Sequence, residues 1–289
     1  MNNVTRTKSR HQVNWDWRAA GNFIGGGAGS GLLFFAAISS GSSYVYRPFA
    51  CAALALIALG LFCVWLEIGR PWRAMNVFLH AKTSWMTREA LVAPPLFLCG
   101  LLAAWTTTPP WTWLAALLGL LFLYCQARII HGGKGIPAWR EARIVPLMIV
   151  TGVTEGAGLL ALVAALSGAA LKPGWVPAIL VPLLILRALL WRAYRKDLAS
   201  HFAPQQTVAA FDAIEPWFGK ASHWGAGLLL VLALVVPTLD STLWLSAIAG
   251  VIAVAGGWLF KFTLVARAAY NQGYALPRVP VRGGVSKPG

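Results

Sequence analysis

Charge is what this chain has least of. Only 11% of its 289 residues are Asp, Glu, Lys or Arg, while 58% are hydrophobic; a soluble domain carries about 25% charged residues. A water-soluble globule is therefore excluded, and an all-α integral membrane protein is expected. Acids are scarcer still, nine against 24 Lys and Arg, for a formal net charge of +15. In a soluble protein that excess points to nucleic acid, but in a mostly apolar chain it reports topology, so membrane lipid and no nucleic acid is the expected surrounding. The four cysteines, Cys51, Cys63, Cys99 and Cys125, all lie in apolar runs without CxxC spacing. That excludes a disulfide framework and a zinc or iron–sulfur site, and leaves thiols acting as small hydrophobes. The five histidines, at 11, 80, 131, 201 and 223, gather toward one side of the membrane. No ladder of haems can then cross the bilayer; a single haem on His131 and His223 is the residual alternative, and none is expected. No metal cluster and no Ser–His–Asp set emerges from isolated residues. The N-terminus is basic but has no A-x-A cleavage site before its first apolar run, which marks a retained tail rather than a signal peptide.

What the chain does have is long apolar runs. A bilayer core takes about 20 residues of helix, and eight candidates fit: roughly 17–39, 48–69, 86–106, 111–131, 144–166, 175–195, 220–238 and 243–266. The loops after the odd spans hold only Arg47 and Lys172; the other 22 of the 24 cations lie in the tails, the even loops or adjoining span ends. The positive-inside rule then puts both termini and the even loops in the cytoplasm, as for a multi-pass protein of a bacterial inner membrane. The chain divides into a basic N-terminal tail (1–16), an eight-helix bundle (17–268) and a C-terminal tail (269–289). The glycines at 21, 25, 26, 27, 29 and 31 follow no strand, so they read as a close-packing stripe rather than a dinucleotide fingerprint.

Residues 66–89, LEIGRPWRAMNVFLHAKTSWMTRE, are the densest in chemistry. They carry Glu67 and Glu89, Arg70, Arg73, Lys82 and Arg88, His80, and the interfacial aromatics Trp72 and Trp85. Flanked by apolar runs, they sit where membrane meets water, with both carboxylates expected at similar depth. Asn22 on the first span is a polar amide in need of a partner. On the fourth span Tyr124 and Arg128 share a face one turn apart, with His131 close by. The HGGKG run that follows reads as a turn closing that helix. Glu155 lies near the middle of the fifth span, about 16 Å from either end, where an ionisable group is a functional candidate, here for a proton path. The alternative is a carboxyl hydrogen-bonded to Thr151 or a neighbouring helix. The basic end of the sixth span, LRALLWRAYRKDLASHF, is expected to snorkel its cations to the surface. Residues 197–219 read as the longest cytoplasmic connection and a docking surface, and the Pro-, Gly- and Arg-rich C-terminal tail as a segment either disordered or ordered by a docked partner.

With no redox centre of its own, such a chain suits quinone chemistry. Reducing a quinone by two electrons consumes two protons, so the site needs proton donors beside a lipid-accessible cavity. Glu67, Glu89 and His80 are the candidate proton carriers; Arg73, Tyr124 and Asn22 would hold the headgroup or the carboxylates, with Trp85 beside them. Solvated anchoring ion pairs are the bland alternative for the arginines and for Glu89. Two other classes remain: an eight-span transporter with Glu155 as coupling carboxylate, disfavoured by the lack of an internal repeat, and a purely structural anchor.

GRPWRAMNVFLHAKTSWMTREA, with the GIPAW turn after the fourth span, resembles the eight-helix membrane anchors of dimethyl sulfoxide reductase-type and polysulfide reductase-type complexes. The resemblance extends over nearly the whole chain in span number and loop order. It implies an anchor without haem that binds ubiquinone or menaquinone near an iron–sulfur subunit, which connects to a molybdopterin catalytic subunit. It implies quinol-binding roles for Glu67, Arg73 and Glu89, and matches Asn22 and Tyr124 to polysulfide reductase anchors. The position of Glu67 is a histidine in the best-known members, which changes the hydrogen-bond geometry there. A cytoplasmic catalytic side is similar to the quinone-linked sulfite dehydrogenase anchors, which makes quinone reduction coupled to sulfite oxidation the first expectation; complexes oxidising another cytoplasmic substrate, such as an acyl-CoA thioester, look the same at this level.

Overall fold

The computed structural model describes residues 8–39, 43–68, 71–169, 171–172, 174–235 and 239–273, without the side chains of 43–45, 71–74 and 239–241. Among them eight helices are long and apolar enough to cross a membrane, as the hydropathy pattern predicts. In chain order these are α1 (Trp17–Ser39), α2 (Ser43–Glu67), α3 (Trp85–Thr106), α4 (Pro109–Gly132), α6 (Ile144–Ser167), α7 (Trp175–Ser200), a composite seventh span and α10 (Leu239–Ala266). A single-turn α5 (Pro137–Arg140) lies between α4 and α6.

The glycine stripe makes α1 the hub of the bundle, packed against α2, α4, α6 and α10. Lipid tails supply no hydrophobic drive between helices, so close backbone approach and dispersion must hold them together. A Cβ at Gly25 would lie 2.3 Å from the Leu56 carbonyl of α2, and one at Gly31 2.2 Å from the Gly152 carbonyl of α6. Side chains are missing where the helices touch. The outward faces are leucine, valine and tryptophan, among them Leu98, Leu101, Trp105, Leu117, Leu228 and Val231, all exposed as a bilayer-facing surface demands.

The seventh span departs from expectation. Residues 205–219 are not a connecting loop: α8 (Gln205–Ile214) runs into a π-helix (Glu215–Gly225) and then α9 (Ala226–Val235), so the span begins fifteen residues earlier than hydropathy suggested. Phe211, Ile214 and Phe218 are buried, and Trp191 Nε1 donates to Glu215 Oε2 at 2.7 Å. Tertiary burial of one face overrides the mixed polarity that made this stretch read as a docking loop.

The ends of the bundle that carry residues 17, 67, 85 and 132 also gather the tails. Trp139 stacks on Trp15 at 4.9 Å and donates to the Leu264 carbonyl at 2.9 Å. Tyr194 OH donates to the Ala138 carbonyl at 2.6 Å. Gln12 N donates to Ala269 O and Asn271 N to Arg10 O, so both tails meet side by side. Of the four free cysteines, Cys99 and Cys125 are buried, Cys63 is half-buried and Cys51 is exposed.

Candidate functional site

Glu89 is placed by the loop before it. Ser84 caps α3, its hydroxyl accepting from Thr87 N at 3.3 Å. Arg88 folds back to donate from Nε to Ala81 O and from Nη2 to Lys82 O, both at 2.9 Å. With that turn set, the first turn of α3 aims Glu89 inward, 7% exposed, into the seam with α1 and α4. There its Oε1 accepts from Asn22 Nδ2 and from Gln126 Nε2, each at 3.0 Å. Gln126 Nε2 also donates to the Asn22 carbonyl at 2.9 Å. Its amide lies flat against α1 because Gly26 has no Cβ; one would fall 2.2 Å from Gln126 Nε2. Among the described residues the hydrogen-bond partners of this buried carboxyl are thus two neutral amides and no cation, an arrangement that tolerates both its protonated and ionised forms better than a salt bridge does. Asn22 Oδ1 and Gln126 Oε1 are buried acceptors with no hydrogen-bond donor among the described residues.

Toward the surface, one turn earlier on α3, Trp85 forms a wall. The Arg88 guanidinium lies 4.1 Å from its ring centroid and that of Arg128 4.8 Å, and Tyr124 meets it edge-on at 5.6 Å. Arg128 Nε is a buried donor with no acceptor among the described residues. Tyr124 is 36% exposed, so this wall reaches the outer surface of the bundle. An aromatic plane, an unspent guanidinium N–H and a phenol hydroxyl, one turn above a buried carboxyl, suit a flat apolar ring bearing carbonyl oxygens.

The structure brings Glu89, Asn22, Trp85 and Tyr124 together and leaves other expected residues apart. Glu67 lies half-buried at the end of α2, beside Asp16 and Arg18 rather than in the Glu89 cluster. Arg18 donates to Leu66 O at 3.0 Å and pairs with Asp16 at 2.9 Å. His80 is exposed, its carbonyl closing the turn to Thr83 and Ser84. The Arg73 side chain and Arg70 lie outside the described residues, as does the C-terminal tail beyond residue 273. Gln126 was not singled out from the sequence; a glutamine inside an apolar span was the available signal.

Deeper in the bundle is a second buried cluster, which sequence reading found only through Glu155. Glu155 is fully buried and forms an ion pair with Lys261 of α10, Lys261 Nζ donating to Oε2 at 2.5 Å. Gly257 and Gly27 make room: a Cβ at either would fall 2.3 Å from Glu155 Oε1 or Lys261 Nζ. Arg187, expected to snorkel outward, is instead 0% exposed. It donates at 3.0 Å to His223 Nε2, Ala253 O, Ser222 O and Ser222 Oγ. Residue 187 sits mid-way along α7, too deep for its head to reach water, so the π-helix and the Ala253 carbonyl of α10 supply its acceptors instead. Since Arg187 only donates, His223 Nε2 must accept and Nδ1 carries the hydrogen.

Both clusters stand in a fold whose relatives are recognisable. No curated protein matches the chain. Residues 19–265 match the family model described as DMSO reductase anchor subunit (DmsC). That match runs from the third residue of α1 to the last turn of α10 and includes both clusters, and the chain belongs to this family of membrane-anchor subunits.

Proposed function

We propose that the Glu89 cluster is where this anchor subunit exchanges electrons and protons with the membrane quinone pool. The observation that carries the reading is one buried carboxyl, held by Asn22 and Gln126, directly behind a lipid-accessible wall of Trp85, Tyr124 and Arg128. When bound, a quinone supplies a two-electron carrier whose oxygens take up or release protons. The unpartnered Nε of Arg128 and the hydroxyl of Tyr124 would hold a headgroup oxygen, and the Trp85 indole would pack against the ring. Glu89 would hand a proton across at its carboxyl oxygen, general acid–base help worth about 10²–10⁴ in rate. Arg88 ties the preceding turn to α3 and so steadies Trp85 and Glu89 together.

Electrons would arrive from an iron–sulfur subunit seated on the charged end of the bundle, itself fed by a molybdopterin subunit. The cation bias of the loops supports a cytoplasmic position for that end and for both termini. Of the substrates compatible with a cytoplasmic catalytic side, sulfite is the one we favour, with quinone reduced. Glu67, His80 and Arg73 are retained as rim residues around the entrance, Glu67 through its contact with the Asp16–Arg18 pair.

The test is Glu89→Gln in the complex purified with its partner subunits. Quinone reduction should fall about a hundredfold while subunit stoichiometry and iron and molybdenum content stay at wild-type levels. A wild-type rate in that variant removes Glu89 from the mechanism.

A further inference from the structure

The two buried clusters meet at α1. Gly26 abuts Gln126 Nε2 of the Glu89 cluster, and its neighbour Gly27 abuts Lys261 Nζ of the deep pair. Adjacent Cα atoms are about 3.8 Å apart, so these two nitrogens lie within about 11 Å of one another across a helix stripped of side chains. Leu123 Cδ1 stands 3.5 Å from the Gly27 Cβ position and lines the gap.

The hydrogen-bond account on the two sides is complementary. Lys261 carries three N–H donors, and among the described residues one is spent, on Glu155 Oε2. The two clusters hold three buried acceptors with no donor among the described residues: Glu155 Oε1 in its own pair, and Asn22 Oδ1 and Gln126 Oε1 beside Glu89. Unspent buried donors and acceptors are costly, and their presence on both sides of Gly26 and Gly27 calls for an explanation beyond packing. The four-carbon stem of lysine moves its ammonium where a guanidinium would be locked in place. A glycine at position 27 is what leaves that ammonium its room.

We propose that the Lys261–Glu155 pair is a proton relay that reloads Glu89, an inference that rests on the quinone role of Glu89 given above. Glu89 gives its proton to the carrier's oxygen as electrons arrive from the iron–sulfur partner, and is left as a carboxylate. Lys261 swings past Gly27 and gives one N–H proton to it, breaking that N–H bond and forming the carboxyl O–H. The Glu155 carboxylate then takes a proton from water and passes it to the neutral amine, which restores the ion pair, so each cycle moves one proton from the aqueous phase to the carrier. Arg187 lies near Glu155 as a permanent cation, which keeps the site electrically balanced while Lys261 is neutral.

The experiment uses the complex with its partner subunits, its iron–sulfur chain pre-reduced and mixed rapidly with a short-chain ubiquinone analogue. The charge-neutral double variant Glu155→Gln/Lys261→Met avoids stranding one buried charge. It should bind the analogue with unchanged affinity, reoxidise the iron–sulfur centres roughly tenfold more slowly or worse, and slow further in heavy water than wild type does. Gly27→Ala keeps both charges and only displaces the ammonium, and should show a smaller slowing of the same kind. Wild-type rates and isotope effects in both variants, with Glu89→Gln still slow, overturn the relay and leave the pair a packing device. A wild-type rate in Glu89→Gln instead overturns the quinone role on which the relay rests.

Discussion

The Glu89 and Glu155 clusters solve the burial of a carboxyl in opposite ways. Glu89 lies about one turn from the end of α3, and its hydrogen-bond partners are two amides. Glu155 lies at the middle of α6 with a lysine bonded to it and an arginine nearby. A carboxyl near the interface can stay uncompensated because it can be protonated and because the way to water is short. One at mid-bilayer is stable when ionised only beside a counter-charge, since the desolvation of a lone ion is several kcal/mol. The difference teaches that depth decides how a buried carboxyl is held: amides suffice one turn from the helix end, whereas at mid-bilayer a cation is bonded to it.

That contrast breaks most sharply under charge removal. Lys261→Met strands Glu155, and should cost about 3–5 kcal/mol in detergent-solubilised unfolding. Glu155→Gln added to it should recover most of that loss, as a double-mutant cycle would show. Equal stability of the single and double variants would mean the pair is not a unit. Glu89→Gln, by comparison, should unfold within about 1 kcal/mol of wild type, because Oε1 remains an acceptor for both amides.

A smaller effect sharpens the shallow side alone. Gly26→Ala drives a methyl into Gln126 Nε2, and should cost about 1–3 kcal/mol as overpacking. It should also weaken binding of a quinone analogue, measured by titration, by roughly tenfold. Undiminished affinity would show that Gln126 does not hold the site in shape.

The smallest effect concerns the rim. Asp16 caps α1, its Oδ1 accepting from Arg18 N at 2.8 Å. The Arg18 side chain bonded to it holds the Asp16 carboxyl below its usual range. A lowered folded value means the stabilisation is present above about pH 4 and is lost as pH falls through the folded value. Asp16→Asn keeps the cap but removes this dependence. Its melting temperature should change less than that of wild type on acidification below pH 4, by a small margin because the pair is solvent-screened.

Much of this was legible in residue order, and the misses share a cause. Apolar runs located all eight spans, and Glu89, Asn22, Trp85 and Tyr124 were singled out before their convergence was visible. Gln126 and Lys261 were missed, His223 was named only as a haem ligand, and Arg187 was assigned to the surface. A polar residue in an apolar run shows that it needs a partner but not which helix supplies one. Residues 205–219 misled for a related reason: their charges look like a loop until Glu215 is seen bonded to Trp191 and Phe218 is seen buried.

By itself, the order of residues determined the membrane class, the number of crossings and the small-residue stripe on α1, because transfer of side chains into lipid is nearly additive along a helix. Only the tertiary structure decided that Glu89 is held by amides and Glu155 by a cation. It alone brought Gly26 and Gly27 to touch one cluster each. Those facts depend on how α1, α3, α4, α6 and α10 rotate against one another, and close packing sets that rotation cooperatively across residues distant in the chain.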